Sequence, residues 1–266
     1  MSAASLDHDG ITRRAFVGSG ISALALHALP TPLRTDGRPN TQRISAVAFD
    51  GYAIFDASTL IAVAESVIPG KGKEFVAVWR TRQFEYQWLR TMGGRYADFG
   101  QTGADALTVA GKSLGFSLSA ADRERLLTAQ LTLAPWPDAV TTIRELRAAG
   151  LRVALLSNMT EAMLVEGARR AGIRDAFEFV LSTDRVRAAK PSPVAYQMAV
   201  DAFGLSRDEI AFVAFAGWDA VGAKWYGYPT VWTNRTTAPA EQLDAVPDIV
   251  CATLADAKTF LTKSAP

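Results

Sequence analysis

The run Ile44-Ser45-Ala46-Val47-Ala48-Phe49-Asp50 is short, almost wholly apolar, and ends on a carboxylate. A run of this length with no polar alternation reads as a strand buried on both faces, as in a parallel sheet covered by helices. Three later runs have the same character: Leu151 to Leu156, Phe177 to Leu181, and Ile210 to Ala216. Between them lie amphipathic stretches. Asp138 to Ala149 is closed by Gly150 and Glu161 to Ala171 by Gly172, as helix C-termini often are. Another helix is expected to begin at Ser192 as N-cap with Pro193 as its first residue and to run to about Ala202, and Ser206 with Glu209 has the spacing of a capping box. Strands alternating with helices indicate an α/β domain with a parallel sheet.

Between the first strand and the second, residues 58–135 carry helical patterns instead of strand signals, notably Glu74 to Thr91, Ala104 to Leu114 and Ala120 to Leu131. A helical insert at that point is expected to form a lid over the sheet.

Upstream of Ile44 the composition changes. Thr12-Arg13-Arg14-Ala15-Phe16 precedes a weakly apolar stretch from Val17 to Leu29, with small residues at Ala25 and Ala28. This resembles a twin-arginine export signal over residues 1–29, followed by a Pro- and Gly-bearing linker over residues 30–43. The stretch is short for a permanent membrane span, so cleavage and a periplasmic location are expected. A formal net charge of +1 gives no global field for nucleic acid or an anionic membrane surface, and neither is expected as a partner. The single cysteine, Cys251, cannot form an internal disulfide and reads as a small buried hydrophobe.

In an open parallel sheet, ligands bind beyond the carboxyl ends of the strands. That rule brings together Asp50 after the first strand, Ser157 and Asn158 after the second, Lys190 before the helix at Ser192, and Asp219 after the last. Each residue alone has an ordinary reading as a cap, a turn or a solvated lysine; their joint placement points to a site.

Taken in order, Phe49-Asp50, Ser157-Asn158, Lys190-Pro191 and the Asp219 loop resemble the four motifs of the haloacid dehalogenase (HAD) superfamily, and the chain is most similar to its type II (L-2-haloacid) dehalogenases. The likeness covers nearly all of residues 44–260. In the insert it includes Val78-Trp79-Arg80, Glu85-Tyr86, Trp88-Leu89-Arg90 and Arg95-Tyr96; in the core it includes Tyr196, Trp218-Asp219, Gly222-Ala223, Tyr228-Pro229-Thr230 and Asn234-Arg235. The resemblance implies a Rossmann-like parallel core over residues 44–57 and 136–266, with a helical cap over 58–135.

It also implies hydrolytic dehalogenation of short (S)-2-haloacids to (R)-2-hydroxyacids and halide, through an ester on Asp50 and without a cofactor or metal. Lys190 would keep Asp50 ionised and oriented, since a nearby cation favours the charged carboxylate. Ser157 would hold the substrate carboxylate, Arg80 and Asn158 would receive the halide, and Tyr52, Tyr196 and Trp218 would form a water-poor wall. Asp219 would position Lys190 and the hydrolytic water. The twin-arginine translocase is the partner expected during export, and a homodimer is compatible with the family.

The superfamily also contains phosphatases, which carry an aspartate two residues after the nucleophile and a further metal-binding carboxylate in the fourth motif. Tyr52 and Phe215 stand at those positions here, leaving a hard cation short of oxygen ligands and a leaving alkoxide without a proton donor. The chain departs from the dehalogenases too. Ile54 falls where they carry a threonine that bonds the nucleophile, and Ala214-Phe215-Ala216 replaces a Ser-Ser-Asn run. Two alternatives therefore stand beside dehalogenation: a protein that binds a small carboxylate with altered or lost catalysis and, third, a phosphatase.

Overall fold

The computed structural model describes residues 43–262. The twin-arginine segment, the stretch to Leu29 and the linker up to residue 42 lie outside the described residues.

The run ending at Asp50 forms strand β1 (Ala46–Phe49), buried at every position. The chain turns directly into a single helical turn, α1 (Gly51–Ile54), and a two-residue strand, β2 (Phe55–Asp56). Four helices come next: α2 (Thr59–Val67), α3 (Gly72–Met92), α4 (Phe99–Ser113) and α5 (Ala120–Leu131). The chain then returns through β3 (Ala134–Pro135), which pairs antiparallel with β2. The helical insert thus leaves and re-enters through one narrow ribbon.

Beyond it come α6 (Ala139–Ala148), β4 (Arg152–Ser157), α7 (Glu161–Arg170), β5 (Phe179–Ser182) and α8 (Pro193–Phe203). The chain continues through β6 (Ile210–Ala214), α9 (Gly217–Tyr226), β7 (Thr230–Thr233), β8 (Ile249–Cys251) and α10 (Leu254–Thr262). The six larger strands form one parallel sheet in the order β5-β4-β1-β6-β7-β8.

The absence of polar alternation in β1 now has its reason. Val47 and Phe49 pack into one apolar cluster with Val153, Leu155 and Val213, while Ala46 and Ala48 face a second with Ala154, Leu156 and Phe212. Both faces of the sheet are covered, so successive side chains all enter a core.

The predicted strands differ from the observed ones by at most two residues at either end, and α5 runs over the predicted residues. Helix α4 begins five residues before its predicted start, with Asp98 accepting from the Gln101 amide as its cap. Gly100 and Gly103 weaken the local helical signal, yet a Cβ at Gly103 would come within 2.7 Å of Gln130 Oε1 and 2.9 Å of Gln83 Nε2, so glycine leaves room for these two buried amides. The capping box at Ser206 and Glu209 is formed, on a single 3-10 turn. Strands β7 and β8 and helices α2, α9 and α10 were not anticipated; the two strands, at four and three residues, are too short for periodicity to register. Cys251 is half-buried in β8 at the sheet edge, where burial, reinforced by Asp256, pushes its thiol up to about 11; it is less enclosed than its apolar setting suggested.

Candidate active site

Strand β1 lies at the centre of the sheet, so the residue at its carboxyl end stands in the crevice above the strand ends. That residue, Asp50, is pinned there from both directions. Its amide donates to Val213 O at 2.9 Å, continuing the ladder to β6, and its Oδ2 accepts from the Tyr52 amide at 3.1 Å, capping α1. Its Oδ1 accepts from Lys190 Nζ at 2.9 Å and from Ser157 Oγ, at the end of β4, at 3.3 Å. Ile54, where a threonine was expected, is wholly buried and brings no hydroxyl; Ser157 provides the hydroxyl contact to Asp50.

Lys190 also donates to Asp219 Oδ2 at 2.6 Å, and its Nζ lies 4.8 Å from the centre of the Phe212 ring. Asp219 stands in the first turn of α9, and its Oδ1 accepts from Tyr196 Oη at 2.7 Å. Removing this ammonium and two carboxylates from water is costly, and only a full set of hydrogen bonds makes the arrangement tolerable. Burial raises the Asp219 carboxyl to about 6, with Lys190 opposing the shift and Asp50 adding to it. Burial works against the Lys190 ammonium, but Asp219 and Asp50 outweigh it and hold the group above its ordinary range. The Tyr196 phenol is pushed well up by burial and by Asp219, so it remains a donor.

Asp50 and Lys190 border a cavity of about 40 Å³. Asp50, Ser157, Asn158 and Lys190 form its polar side. Tyr52, Phe84, Phe99, Phe215 and Trp218 form the apolar walls, with Arg80 from α3. The Arg80 guanidinium lies over the Tyr52 ring at 4.6 Å and near the Phe215 ring at 5.8 Å. The nearby carboxylates of α3 pair elsewhere, Glu74 with Lys71 and Glu85 with Arg82. Arg80 Nε and Tyr52 Oη are both buried without a hydrogen-bond partner among the described residues. Burial raises the Tyr52 phenol to about 12, so both are donors beside the cavity.

Of the residues singled out from sequence, Asp50, Tyr52, Arg80, Ser157, Asn158, Lys190 and Trp218 share this cavity. Tyr196 does not belong to its wall. It is wholly buried, and its hydroxyl holds Asp219, which in turn holds Lys190. Asn158 is more committed than expected: its Oδ1 accepts from the Lys190 amide at 2.8 Å, and its Nδ2 donates to Gln87 Oε1 at 3.2 Å and to Lys190 O at 3.4 Å. Trp88 Nε1 donates to the same carbonyl at 3.1 Å. Helix α3 therefore touches both the cavity and the loop that carries Lys190.

Sequence reasoning missed Phe84, Phe99, Phe215, Gln87 and Trp88 as parts of the site. Phe84 and Trp88 come four and eight residues after Arg80, on one helix face, and that spacing was the available signal. Phe215 registered only as a missing carboxylate. For a hard divalent cation the donor set does not fit, since an ammonium occupies the position between Asp50 and Asp219. Among the described residues no three His, Cys, Asp or Glu side chains converge as a metal site.

Comparison with known proteins agrees with this geometry. Residues 21–227 match the model of the haloacid dehalogenase-like hydrolases. An (S)-2-haloacid dehalogenase of Pseudomonas sp. (strain YL) is 40% identical over 206 residues, covering 77% of this chain and 89% of that protein. The crystal structure of the L-2-haloacid dehalogenase RSc1362 superposes with a TM-score of 0.81 at 37% identity, over 82% of this chain and 99% of that one. The L-2-haloacid dehalogenase of Xanthobacter autotrophicus with chloropropionic acid covalently bound gives a TM-score of 0.74 at 33% identity, over 82% and 98%. A parallel sheet with Asp50 at the end of its central strand, matched over most of the length of such relatives, leaves one assignment: the chain belongs to the haloacid dehalogenase-like hydrolases, among the L-2-haloacid dehalogenases.

Proposed function

We propose that this protein hydrolyses short (S)-2-haloacids to (R)-2-hydroxyacids and halide. One observation carries the reading: a carboxylate held by an ammonium opens onto a small aromatic cavity that also contains a guanidinium without an ion-pair partner among the described residues. Asp50 attacks C2 of the acid from the side opposite the halogen. The C–O bond forms as the C–halogen bond breaks, the halide takes the bonding pair, and C2 inverts. A halide leaves without a proton, so the lack of a general acid at Tyr52 is no defect.

Water then adds to Cγ of the Asp50 ester, releasing the hydroxyacid and restoring the carboxylate. The proton passes to the Lys190–Asp219 pair. Ser157 and nearby backbone amides take the substrate carboxylate, and Arg80 with Asn158 faces the halide. The aromatic walls exclude water and strengthen every charge interaction inside. The cavity, at roughly three waters by the usual 10–15 Å³ each, suits acids of two or three carbons.

Free halide released from L-2-chloropropionate by the purified protein, compared with Asp50→Asn, tests the reading. Equal halide from both proteins would overturn it. An increase in the mass of the Asp50 peptide after quenching with substrate is expected as well.

The same proposal includes export and assembly. Export by the twin-arginine translocase rests on Arg13, Arg14 and the apolar stretch after them. Moving the protein to the cytoplasmic fraction by Arg13→Lys with Arg14→Lys would support it, and an unchanged distribution would refute it. A homodimer rests on family resemblance, with sedimentation velocity as its test.

A further inference from the structure

Phe215 stands directly after β6, the strand that flanks β1 on one side. Its ring is one wall of the cavity. It cannot easily retreat, because it is backed by a column of fixed groups. The Trp136 ring stacks on it at 6.2 Å and 23°. Trp136 is itself tied down, since its Nε1 donates to Tyr52 O at 3.0 Å and the Arg235 guanidinium covers its ring at 4.6 Å. Arg235 is in turn paired with Asp138 at 2.9 Å. The backbone of Phe215 is anchored too, its carbonyl accepting from Trp232 Nε1 at 3.0 Å.

The ring also meets Tyr52 at 6.2 Å and Arg80 at 5.8 Å, so it borders the cationic side of the cavity. Tyr52 and Arg80 offer buried polar atoms to a bound anion, whereas the Phe215 side chain offers only bulk and a ring face. A wall of that kind, rigidly backed in a cavity of about 40 Å³, limits size without entering the chemistry.

We propose that Phe215 is the specificity-determining residue that sets the chain length of the acid this cavity accepts, excluding substituents on C2 larger than methyl. The inference rests on the dehalogenase reading for its substrate class, and a binding measurement tests it without requiring turnover.

Binding of acetate, propionate and butyrate is measured by calorimetry on the full protein and on Phe215→Ala. A misplaced methylene in an apolar pocket costs at least about tenfold, so the wild type should bind butyrate about tenfold or more weakly than propionate. Phe215→Ala should bring the two within about threefold, because the removed ring leaves room for the extra methylene. Phe215→Val, a smaller change, should give an intermediate ratio and serves if the alanine variant does not fold. A wild type that binds all three acids alike, one that binds none, or variants that keep the wild-type ratio would each overturn the proposal.

Halide release from 2-chlorobutyrate relative to L-2-chloropropionate should shift in the same direction. If no haloacid is turned over yet the binding ratio moves as expected, the dehalogenase reading fails and the assignment of Phe215 stands.

Discussion

The Nζ atom of Lys190 lies 2.6 Å from Oδ2 of Asp219, with both side chains 1% exposed. The same ammonium lies 2.9 Å from Asp50 Oδ1, so one cation is shared by two carboxylates from different strand ends. The ammonium attracts both while they repel each other. Asp50 is thereby held facing the cavity, and Asp219 is held behind Lys190 by Tyr196.

Lys190→Met should be damaging twice over. Removing one partner from a buried charge network costs about 3 to 5 kcal/mol, because the remaining carboxylates stay buried and unpaired. Calorimetric melting should show a drop of roughly 6 to 20 °C for a domain of this size. Halide release should fall below about 1% of wild type even at temperatures where the variant is folded. A variant with near-native melting and activity would show that Lys190 is not the group holding Asp50.

The pH dependence is set by Asp219. Its carboxyl rises from the ordinary 3.8 to about 6, so the folded protein binds that proton more tightly than the unfolded chain does. This group's contribution to stability therefore falls as pH rises from about 4 to about 6 and is level above that. Lys190 has the opposite range: its raised value stabilises the fold below the ordinary 10.5, and that share is lost at still higher pH. Activity needs Asp219 ionised, so kcat should decline below about pH 6. Titrating kcat from pH 4.5 to 9 checks this, and Asp219→Asn should abolish the limb along with most of the activity.

Gly51 has no room for a methyl group. A Cβ there would lie 2.6 Å from Met159 Sδ, 2.8 Å from Ser157 Oγ and 3.2 Å from Leu164 Cδ2. Gly51→Ala should destabilise the protein by about 1 to 3 kcal/mol through overpacking. It should also displace Ser157 from Asp50 and raise KM more than it lowers kcat. Chemical denaturation together with steady-state kinetics would measure both.

Trp88→Phe keeps an aromatic ring against Trp218, which Trp88 meets edge-on at 5.2 Å, but removes the donor to Lys190 O. The loss of one such bond should cost about 1 kcal/mol. Because Asn158 still holds the Lys190 amide, kcat should fall only severalfold, with KM little changed. A loss as large as that of Lys190→Met would mean that helix α3 positions the lysine more strictly than Asn158 does.

The four groups at the strand ends were legible in the sequence because a parallel sheet places every strand's carboxyl end at one edge. Asp50, Ser157 and Lys190 accordingly meet at 2.9 and 3.3 Å. Tyr196 was legible as a site residue but not as a support for Asp219, since a tyrosine in a helix reads the same whether its hydroxyl faces a cavity or a carboxylate. The stretch at β7 was legible as a resemblance, not as a strand, because its side chains are apolar for only a few residues. The tie between Gln87 and Asn158 left no trace at all, because it joins residues 71 positions apart, one on α3 and one just after β4.

The sequence by itself determined the chemical inventory: a carboxylate after the first strand, a lysine and a second aspartate downstream, and Tyr52 and Phe215 where phosphatases need carboxylates. Covalent order is enough for that, since residue type and strand-end position are properties of the linear chain. Only the tertiary structure decided that Lys190 stands between two carboxylates, that Tyr196 lies behind the site, and that Phe215 borders a cavity of about 40 Å³. Lys190 and Asp50 are 140 residues apart, and a separation of 2.9 Å between them exists only once the sheet, its helices and the insert have closed around them.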